Sequence, residues 1–196
     1  MTQGSTPSVR DRLLAAGVAI LSRSGFNGCS VQDITDAAGV PKGSFYNHFN
    51  SKEALGAAAL AHFWNDGACP TLEILTDTSL APLARLRAYF ERGAAELVAA
   101  NFTCGCLVGN MTAEMSDHSA VVSAQIAAIY AGWVGRVASC IQAAQMAGEI
   151  ANKTSADQLA RFTLSTWEGA LLWARIEKGE RPLRQFIETI FSQILL

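Results

Sequence analysis

Two thiols separated by a single glycine, Cys104 and Cys106, are the side chains of this sequence best suited to covalent chemistry. They stand where the apolar pattern predicts the start of a helix over about 105–115. The partial positive charge at a helix N-terminus favours the thiolate, which is the form of cysteine that attacks electrophiles. The pattern therefore predicts a reactive thiol. The alternative is a pair of small buried thiols that pack as hydrophobic side chains.

A second group of polar side chains lies in a segment that the periodicity predicts as a short helix over about 41–50. On a helical wheel Phe45 and Phe49 share one face, which predicts that both anchor the helix in a core. The opposite arc is small and polar, so it suits a DNA groove about 12 Å wide and offers donors and acceptors to bases and phosphates. The candidate DNA contacts are Lys42, Gly43, Ser44, Tyr46, Asn47 and His48. For Tyr46 and His48 the alternative is packing within their own domain.

The elements that must position these side chains are all predicted to be helices. A capping-box pattern at Ser30-Val-Gln-Asp33 begins a helix over 31–38, and a tight turn at Gly39-Val40 leads into the polar helix, as in a helix-turn-helix. Lys52 lies in the first turn of the next helix, within reach of a phosphate.

The predicted helices span about 7–24, 31–38, 41–50, 51–69, 82–100, 105–115, 119–147, 155–178 and 182–196. Thr6 caps the first of these helices, with Pro7 at its first position, and Ser51 caps the fourth. No segment has the pattern of a strand, so the fold is predicted to be all-α.

Composition bounds the class of protein. Half of the 196 residues are hydrophobic. Residues 1–55 carry five basic and four acidic side chains, a net of +1, whereas the remaining ten basic and thirteen acidic ones give −3. This asymmetry weakly favours a polyanion partner for the N-terminal part. There is no secretory signal, no uninterrupted apolar run of about 18 residues and no disulfide framework among five cysteines. We therefore expect a cytoplasmic protein without a membrane span and with reduced thiols.

Motifs for catalysis are missing. The sequence has no G-x-S-x-G elbow, Walker loop, G-x-G-x-x-G or H-E-x-x-H pattern, and its three histidines, His48, His62 and His118, lie far apart. We expect neither an enzyme nor a cofactor. A metal site that combines the two thiols with His62, His118 or Cys69 is a minor alternative, because Cys-x-Cys without a second close pair does not match a zinc pattern.

The stretch SVQDITDAAGVPKGSFYNHFNSKEAL, residues 30–55, closely resembles the DNA-binding segment of TetR-family transcriptional regulators. The shared features are the capped second helix, Ala-Gly-Val before the recognition helix, the Tyr-x-His-Phe block and the Ser-Lys-Glu-x-Leu start of the fourth helix. The resemblance implies a three-helix helix-turn-helix domain over 1–55. It implies a larger helical ligand-binding and dimerisation domain over 56–196, with about nine helices in all.

The same resemblance implies roles for residues and for the whole protein. The recognition helix would contact double-stranded operator DNA, with phosphate contacts from Tyr46, Lys52 and either Ser30 or Gln32. The protein would be a ligand-responsive regulator, most simply a homodimeric repressor that a small apolar or electrophilic effector releases from a palindromic operator. The alternative is a helical interaction protein that kept the fold without operator binding.

Candidate effector contacts come from the larger domain. They are Phe63, Trp64, Phe102, Cys104, Cys106, Glu114, Tyr130, Trp133 and Trp167. Each aromatic ring has the alternative of an ordinary core position, and their number favours an apolar or aromatic ligand. The Gly-Cys-Leu lead into the short helix resembles a subgroup of the family that senses electrophiles or oxidants through cysteine, which makes Cys106 the preferred sensor and Cys104 the second.

The last two predicted helices are candidates for the dimer interface. The segment 182–196 carries an apolar stripe too wide for a helix that faces water on most sides, and residues 159–176 are apolar on more than one face. The resemblance implies that two such helices from each subunit form a four-helix interface. The alternative is that both helices are buried within one chain.

Overall fold

The computed structural model describes residues 7–65 and 71–196, and within these ranges it contains helices and no strand. The helices are α1 Val9–Ser24, α2 Val31–Ala38, α3 Lys42–Phe45, α4 Lys52–Asn65, α5 Thr71–Ile74, α6 Pro82–Ala99, α7 Leu107–Met115, α8 Ala120–Met146, α9 Ala156–Glu177 and α10 Arg181–Thr189, followed by a π-helical turn at Ile190–Ile194. The prediction of an all-α fold is confirmed. The short α5 was not predicted.

The chain divides into two compact units. The first comprises Met1–Ala68 and Leu107–Ala127, and the second comprises Cys69–Cys106 and Ala128–Leu196. The first unit therefore holds α1 to α4 together with α7, which is distant from them in sequence. The predicted boundary after residue 55 remains a prediction.

Local capping chemistry sets the ends of the first helices. Ser8 caps α1 and forms a capping box with Asp11, so the helix begins at Val9 and not at the predicted proline; Thr6 lies outside the described residues. The predicted capping box of Ser30 with Asp33 is present at the start of α2. The predicted cap of α4 is also present, because the Ala54 amide donates to the Ser51 hydroxyl at 3.1 Å. The predicted continuation of α4 to Cys69 lies outside the described residues.

The core of the first unit is aliphatic apart from a few phenylalanines. Its fully buried side chains include Leu13, Leu21, Ile34, Phe45, Leu55 and Leu60. They are contributed by α1, α2, α3 and α4, so burial of a shared apolar face holds the short α3 in place even though four residues form no stable helix alone.

The second unit is built around an aromatic cluster of Phe90, Trp167, Phe186 and Phe191. The centroid of the Phe90 ring lies 5.3 Å from that of Trp167, 5.0 Å from that of Phe186 and 6.4 Å from that of Phe191. Helices α6, α9 and α10 and the π-helical turn contribute these rings. Edge-to-face pairs of this kind add about 0.5–1.5 kcal/mol each beyond the area that they bury.

The wide apolar stripe of the last segment is mostly buried in its own chain. Leu183, Phe186, Ile190, Phe191 and Leu195 each expose 4% or less of their surface. Burial within one chain was the alternative to a dimer interface for this segment, and it accounts for most of the stripe. Four exposed large apolar side chains lie on the preceding helix α9: Phe162, Leu172, Trp173 and Ile176.

By length and composition alone, α8 could cross a membrane, and it is the one helix among the described residues that meets this criterion. Core helices of soluble proteins meet the same criterion. Its buried residues recur with helical spacing and are Val122, Ile126, Ile129, Trp133, Val134, Val137, Cys140, Ile141 and Ala144. This one-sided burial is the pattern of a helix that packs against other helices.

Candidate nucleic-acid interface and effector region

Residues 42–49, which comprise α3 and the turn after it, are called here the recognition segment. This segment is anchored by its two phenylalanines. Phe45 is fully buried, Phe49 exposes 5% of its surface, and their ring centroids lie 5.7 Å apart. The prediction that both belong to the core is confirmed. Regular α-helix ends at Phe45, earlier than predicted, and the chain continues as a turn in which the amides of His48 and Phe49 donate to the Phe45 carbonyl, both at 2.9 Å.

The polar side of this segment faces outward. Lys42, Gly43, Asn47 and His48 are exposed and Ser44 is half-buried. Tyr46 exposes 57% of its surface although Phe45 next to it exposes none. The Tyr46 ring still packs edge-to-face on that of Phe45, with 5.2 Å between centroids, so the contacts of Tyr46 and His48 with DNA remain predictions.

A tight turn orients the segment. Gly39 ends α2 with φ +65°, a left-handed conformation that favours glycine, and the amides of Gly39 and Val40 bond back to Asp36 and Thr35. Arg12 of α1 donates from Nη1 to the carbonyls of Ala38 and Gly39, at 3.3 and 3.4 Å. Sequence reasoning missed this role of Arg12, because its two partners lie 26 and 27 positions further along the chain.

The two candidate phosphate contacts at α2 are exposed and already hydrogen-bonded. The Ser30 hydroxyl donates to the Asp33 carboxylate at 2.7 Å, and the Gln32 amide donates to the Asp36 carboxylate at 2.6 Å. Ser30 therefore serves first as the helix cap. Its role and that of Gln32 toward phosphate remain predictions.

Lys52, expected within reach of a phosphate, is hydrogen-bonded within its own unit, and its role toward phosphate remains a prediction. Its ammonium donates to the carbonyls of Phe26 and Cys29 and lies 4.3 Å from the centroid of the Phe26 ring. The side chain is thus directed at the turn between α1 and α2, because that turn presents carbonyl oxygens and an aromatic face to α4.

The predicted effector contacts are divided between the two units. Phe63, Trp64 and Glu114 belong to the first unit; Phe102, Cys104, Cys106, Tyr130, Trp133 and Trp167 belong to the second. Glu114 bonds the backbone of its own unit, where its carboxylate accepts from the amides of Phe26 and Asn27.

The rings of the second unit serve mainly its interior. Trp167 exposes 4% of its surface within the aromatic cluster, and Tyr130 stacks on the buried Trp133 with 5.9 Å between centroids. Phe102 is also buried, with φ +55°, and its carbonyl accepts a hydrogen bond from the Lys178 ammonium at 3.1 Å. The core alternative therefore accounts for Trp133 and Trp167.

Cys106 and the adjoining Gly105 each have a polar neighbour that sequence reasoning missed. The Cys106 thiol is hydrogen-bonded to the Glu168 carboxyl group of α9, and burial raises the pKa of that carboxyl, an effect that the hydrogen bond partly offsets. The Arg175 guanidinium covers Gly105, where a Cβ would lie 2.8 Å from Nη1. Cys106 immediately precedes α7, as the dipole argument requires, and both thiols are half-buried.

One signal could have identified Glu168. In the stretch TLSTWEGALLW, three of its four neighbours at helical spacing are leucines: Leu164, Leu171 and Leu172. An acid on the inner face of a helix is rare unless it is paired. Arg175 carried no comparable signal, because it lies in the last turn of α9, where basic residues are common.

Three grooves of the second unit, of about 640, 560 and 630 Å³, are lined by other residues than those predicted. Within 7–65 and 71–196 no group of three or more His, Cys, Asp or Glu side chains could hold a metal ion. Cys69, one of the residues considered for a metal site, lies outside these ranges.

Comparison with known proteins places this geometry in a family. Residues 13–59 match the family model of bacterial regulatory proteins of the tetR family, and residues 82–190 match that of the tetracyclin repressor-like C-terminal domain. The chain belongs to the TetR family. The resemblance noted at residues 30–55 is thereby confirmed, and with it the fold of an N-terminal helix-turn-helix followed by a larger helical domain.

The sequence similarity to named relatives covers nearly the whole length of this TetR-family chain. The transcriptional repressor DhaR of Mycobacterium sp. (strain GP1) is 40% identical over 187 residues, 95% of this chain and 92% of the relative. The repressor NemR of Escherichia coli K12 is 30% identical over 186 residues, 93% of this chain and 92% of the relative.

Solved structures agree with the fold. The regulatory protein TetR from Rhodobacter sphaeroides superposes with a TM-score of 0.86 at 34% identity, over 93% of this chain and 97% of that chain. The reduced form of E. coli NemR superposes with a TM-score of 0.83 at 26% identity, over 93% and 95% of the two chains. These proteins are regulators of transcription, so the family of this chain is one of ligand-responsive DNA-binding repressors.

Proposed function

We propose that this protein is a dimeric repressor that binds a palindromic operator through the polar side of the recognition segment and leaves it when a small effector binds. The observation that carries the proposal is the division of neighbouring side chains in that segment. Phe45 is fully buried while Tyr46 exposes 57% of its surface, and the surrounding Lys42, Asn47 and His48 are exposed as well. A protein that had lost DNA binding would have no need of this surface.

Operator binding is tested with the full chain and the DNA upstream of its own gene. We expect a complex in an electrophoretic mobility shift, with an affinity that falls steeply as salt rises because phosphate contacts release counterions. The matched control is a DNA fragment of equal length from a coding region, which should bind more weakly. Equal binding of both fragments, or no binding at about 50 mM salt, would contradict the proposal and favour an interaction protein.

The exposed apolar side of α9 supports a homodimer, and the wide stripe of the last segment does not. Phe162, Trp173 and Ile176 expose 51%, 59% and 72% of their surfaces. Gly169 lies between them on the same side, and a Cβ there would meet no atom within 4 Å. Glycine inside a helix costs about 1 kcal/mol relative to alanine, and close approach of a partner helix is a reason to keep it. Helix α10 lines the adjoining groove of about 640 Å³, so the last two helices remain our proposal for the interface.

The thiol at Cys106 supports an electrophilic or oxidising effector. Its hydrogen bond to Glu168 provides a proton acceptor, and the Arg175 guanidinium lies over the adjoining Gly105. NemR of E. coli, one of the relatives, has a solved structure described as its reduced form. We propose that an adduct or oxidised form of Cys106 lowers operator affinity, with Cys104 as the second candidate.

The sensor proposal is tested by treating the operator complex with N-ethylmaleimide. We expect the reagent to dissociate the wild-type complex and to leave that of Cys106→Ser intact. Cys104→Ser is the matched control, since it removes the neighbouring half-buried thiol, and it should still dissociate. If the Cys106→Ser complex dissociates as readily as wild type, the sensor is another residue.

A further inference from the structure

The turn between α1 and α2 is held by a carboxylate from a distant part of the sequence. Glu114 lies on α7, and its carboxylate accepts hydrogen bonds from the Phe26 amide at 3.2 Å and the Asn27 amide at 2.7 Å. The partners are 88 and 87 positions apart in sequence. Hydrogen bonds to an ionised acceptor are roughly twice as strong as neutral ones.

The backbone at this turn is shaped to admit the carboxylate. Gly25, the C-cap of α1, has φ +73°, and a Cβ on it would lie 2.2 Å from the Oε1 atom of Glu114. Any other residue would meet both an unfavourable conformation and a direct steric clash with the carboxylate. The contact therefore depends on a glycine at this position.

The same turn is held from its other side by a cation. The Lys52 ammonium of α4 bonds the carbonyls of Phe26 and Cys29. The turn thus lies between a negative group on its amides and a positive group on its carbonyls, and each charge meets the complementary end of the peptide dipoles. Ser30, the cap of α2, follows directly.

Apolar packing keeps α7 next to this turn. A Cβ on Gly56 of α4 would lie 3.2 Å from the Phe26 ring and 3.4 Å from the terminal methyl group of Met111. Met111 and Met115 of α7 are buried, exposing 0% and 3% of their surfaces. Because these contacts fix the helix, the position of the Glu114 carboxylate is fixed as well.

We propose that Glu114 is a positioning residue for operator binding, contributed by α7 from outside the helix-turn-helix sequence. It holds the α1–α2 turn so that α2 and the recognition segment present one geometry to DNA. This proposal rests on the proposed operator binding. The proposal requires that loss of the Glu114 carboxylate weakens DNA binding. Removal of an acidic side chain from a DNA-binding protein ordinarily has the opposite effect, because it strengthens the attraction to phosphates.

The test compares Glu114→Gln with Asp117→Asn in the full-length dimer. Asp117 is an exposed acid that follows α7, so both variants remove one negative charge from the same region. We expect Glu114→Gln to bind the operator about 10-fold more weakly than wild type, which corresponds to about 1.4 kcal/mol. Asp117→Asn should bind at least as tightly as wild type. Fluorescence anisotropy at fixed salt measures both affinities.

Hydrogen exchange reads the contact without DNA. The Asn27 amide donates a hydrogen bond to Glu114, and it should exchange at least 10-fold faster in Glu114→Gln than in wild type. Its exchange rate should be unchanged in Asp117→Asn. Glu114→Gln keeps the shape of the side chain and one acceptor oxygen, so the variant should remain folded; its melting curve and its sedimentation verify this.

The outcomes separate the two proposals. Failure of wild-type protein to bind any upstream fragment would refute operator binding itself. Operator binding by wild type, together with equal affinities of Glu114→Gln and Asp117→Asn, would refute the role of Glu114. An unchanged exchange rate at Asn27 would likewise overturn the inference, because the contact would then contribute nothing to holding the turn.

Discussion

The two units of the molecule use aromatic side chains in opposite ways. In the recognition segment, adjacent rings have separate tasks: Phe45 is buried and Tyr46 is exposed. In the second unit the rings of Phe90, Trp167 and Phe186 pack on one another, and the chemistry that we propose there belongs to Cys106 and Glu168. Aromatic residues therefore indicate function only where their surroundings are polar.

The largest expected effect tests whether the exposed apolar side of α9 forms the dimer interface. Trp173→Glu should convert the dimer to monomers in sedimentation. It should also weaken operator binding by about 10²–10⁴-fold, because two half-sites are then no longer linked. Met146→Glu is the control, since Met146 is an exposed apolar residue elsewhere, at 84%, and it should stay dimeric. A dimeric Trp173→Glu variant would move the interface to another surface.

The next prediction separates the neighbouring rings of the recognition segment. Phe45→Ala should lower the free energy of unfolding by about 3–5 kcal/mol, as expected for a large buried side chain. Tyr46→Ala should leave stability within about 0.5 kcal/mol and weaken operator binding about 10-fold or more. Urea unfolding and anisotropy on both variants check this. A Tyr46→Ala variant that binds normally would remove the tyrosine from the DNA surface.

The next prediction concerns the pH dependence of stability that Glu168, the acid among the apolar residues of the second unit, should cause. Because burial raises the pKa of the Glu168 carboxyl, the folded state holds this proton more tightly than the unfolded chain does. The free energy of unfolding therefore falls as pH rises above the unfolded pKa of about 4.3, until the folded pKa is passed.

Glu168→Gln has no proton to lose at this position. Its stability relative to wild type should therefore be greater at pH 7 than at pH 4, as measured by thermal unfolding across that range. Glu188→Gln, at an exposed acid of the same unit, is the control and should show no such trend. A pH-independent difference between Glu168→Gln and wild type would contradict the burial argument.

The smallest expected effect concerns a glycine of the recognition segment. A Cβ on Gly43 would meet nothing within 4 Å, so Gly43→Ala should be neutral or should stabilise the fold by up to about 1 kcal/mol. If DNA approaches this backbone closely, operator binding should nevertheless weaken by a few-fold. Gly135→Ala is the control, because Gly135 is also open and lies on α8. Unchanged binding by Gly43→Ala would show that DNA leaves room there.

The parts of the fold that were predictable depend on local signals. Helix α2 was predicted over 31–38 and is found at Val31–Ala38, because the capping box of Ser30 and the left-handed Gly39 act within a few residues. The early end of α3 at Phe45 was missed, since the apolar pair with Phe49 has helical spacing whether or not regular helix continues between them.

The parts that were not predictable depend on contacts between distant residues. The Glu114 carboxylate was expected near an effector and is found on the amides of Phe26 and Asn27. The bond between Cys106 and Glu168 joins the residue before α7 to α9, within the second unit. Neither pairing follows from periodicity or capping, because each requires the packing of helices that the sequence alone does not arrange.

The glycine that ends α1 restricts how this protein can diverge. A Cβ on Gly25 would lie 2.2 Å from the Glu114 carboxylate, so position 25 cannot gain a side chain while Glu114 stays in place. A chain that acquired alanine at position 25 would also have to shorten the side chain at position 114, and would lose the bonds to Asn27. Descendants that keep Glu114 should therefore also keep Gly25.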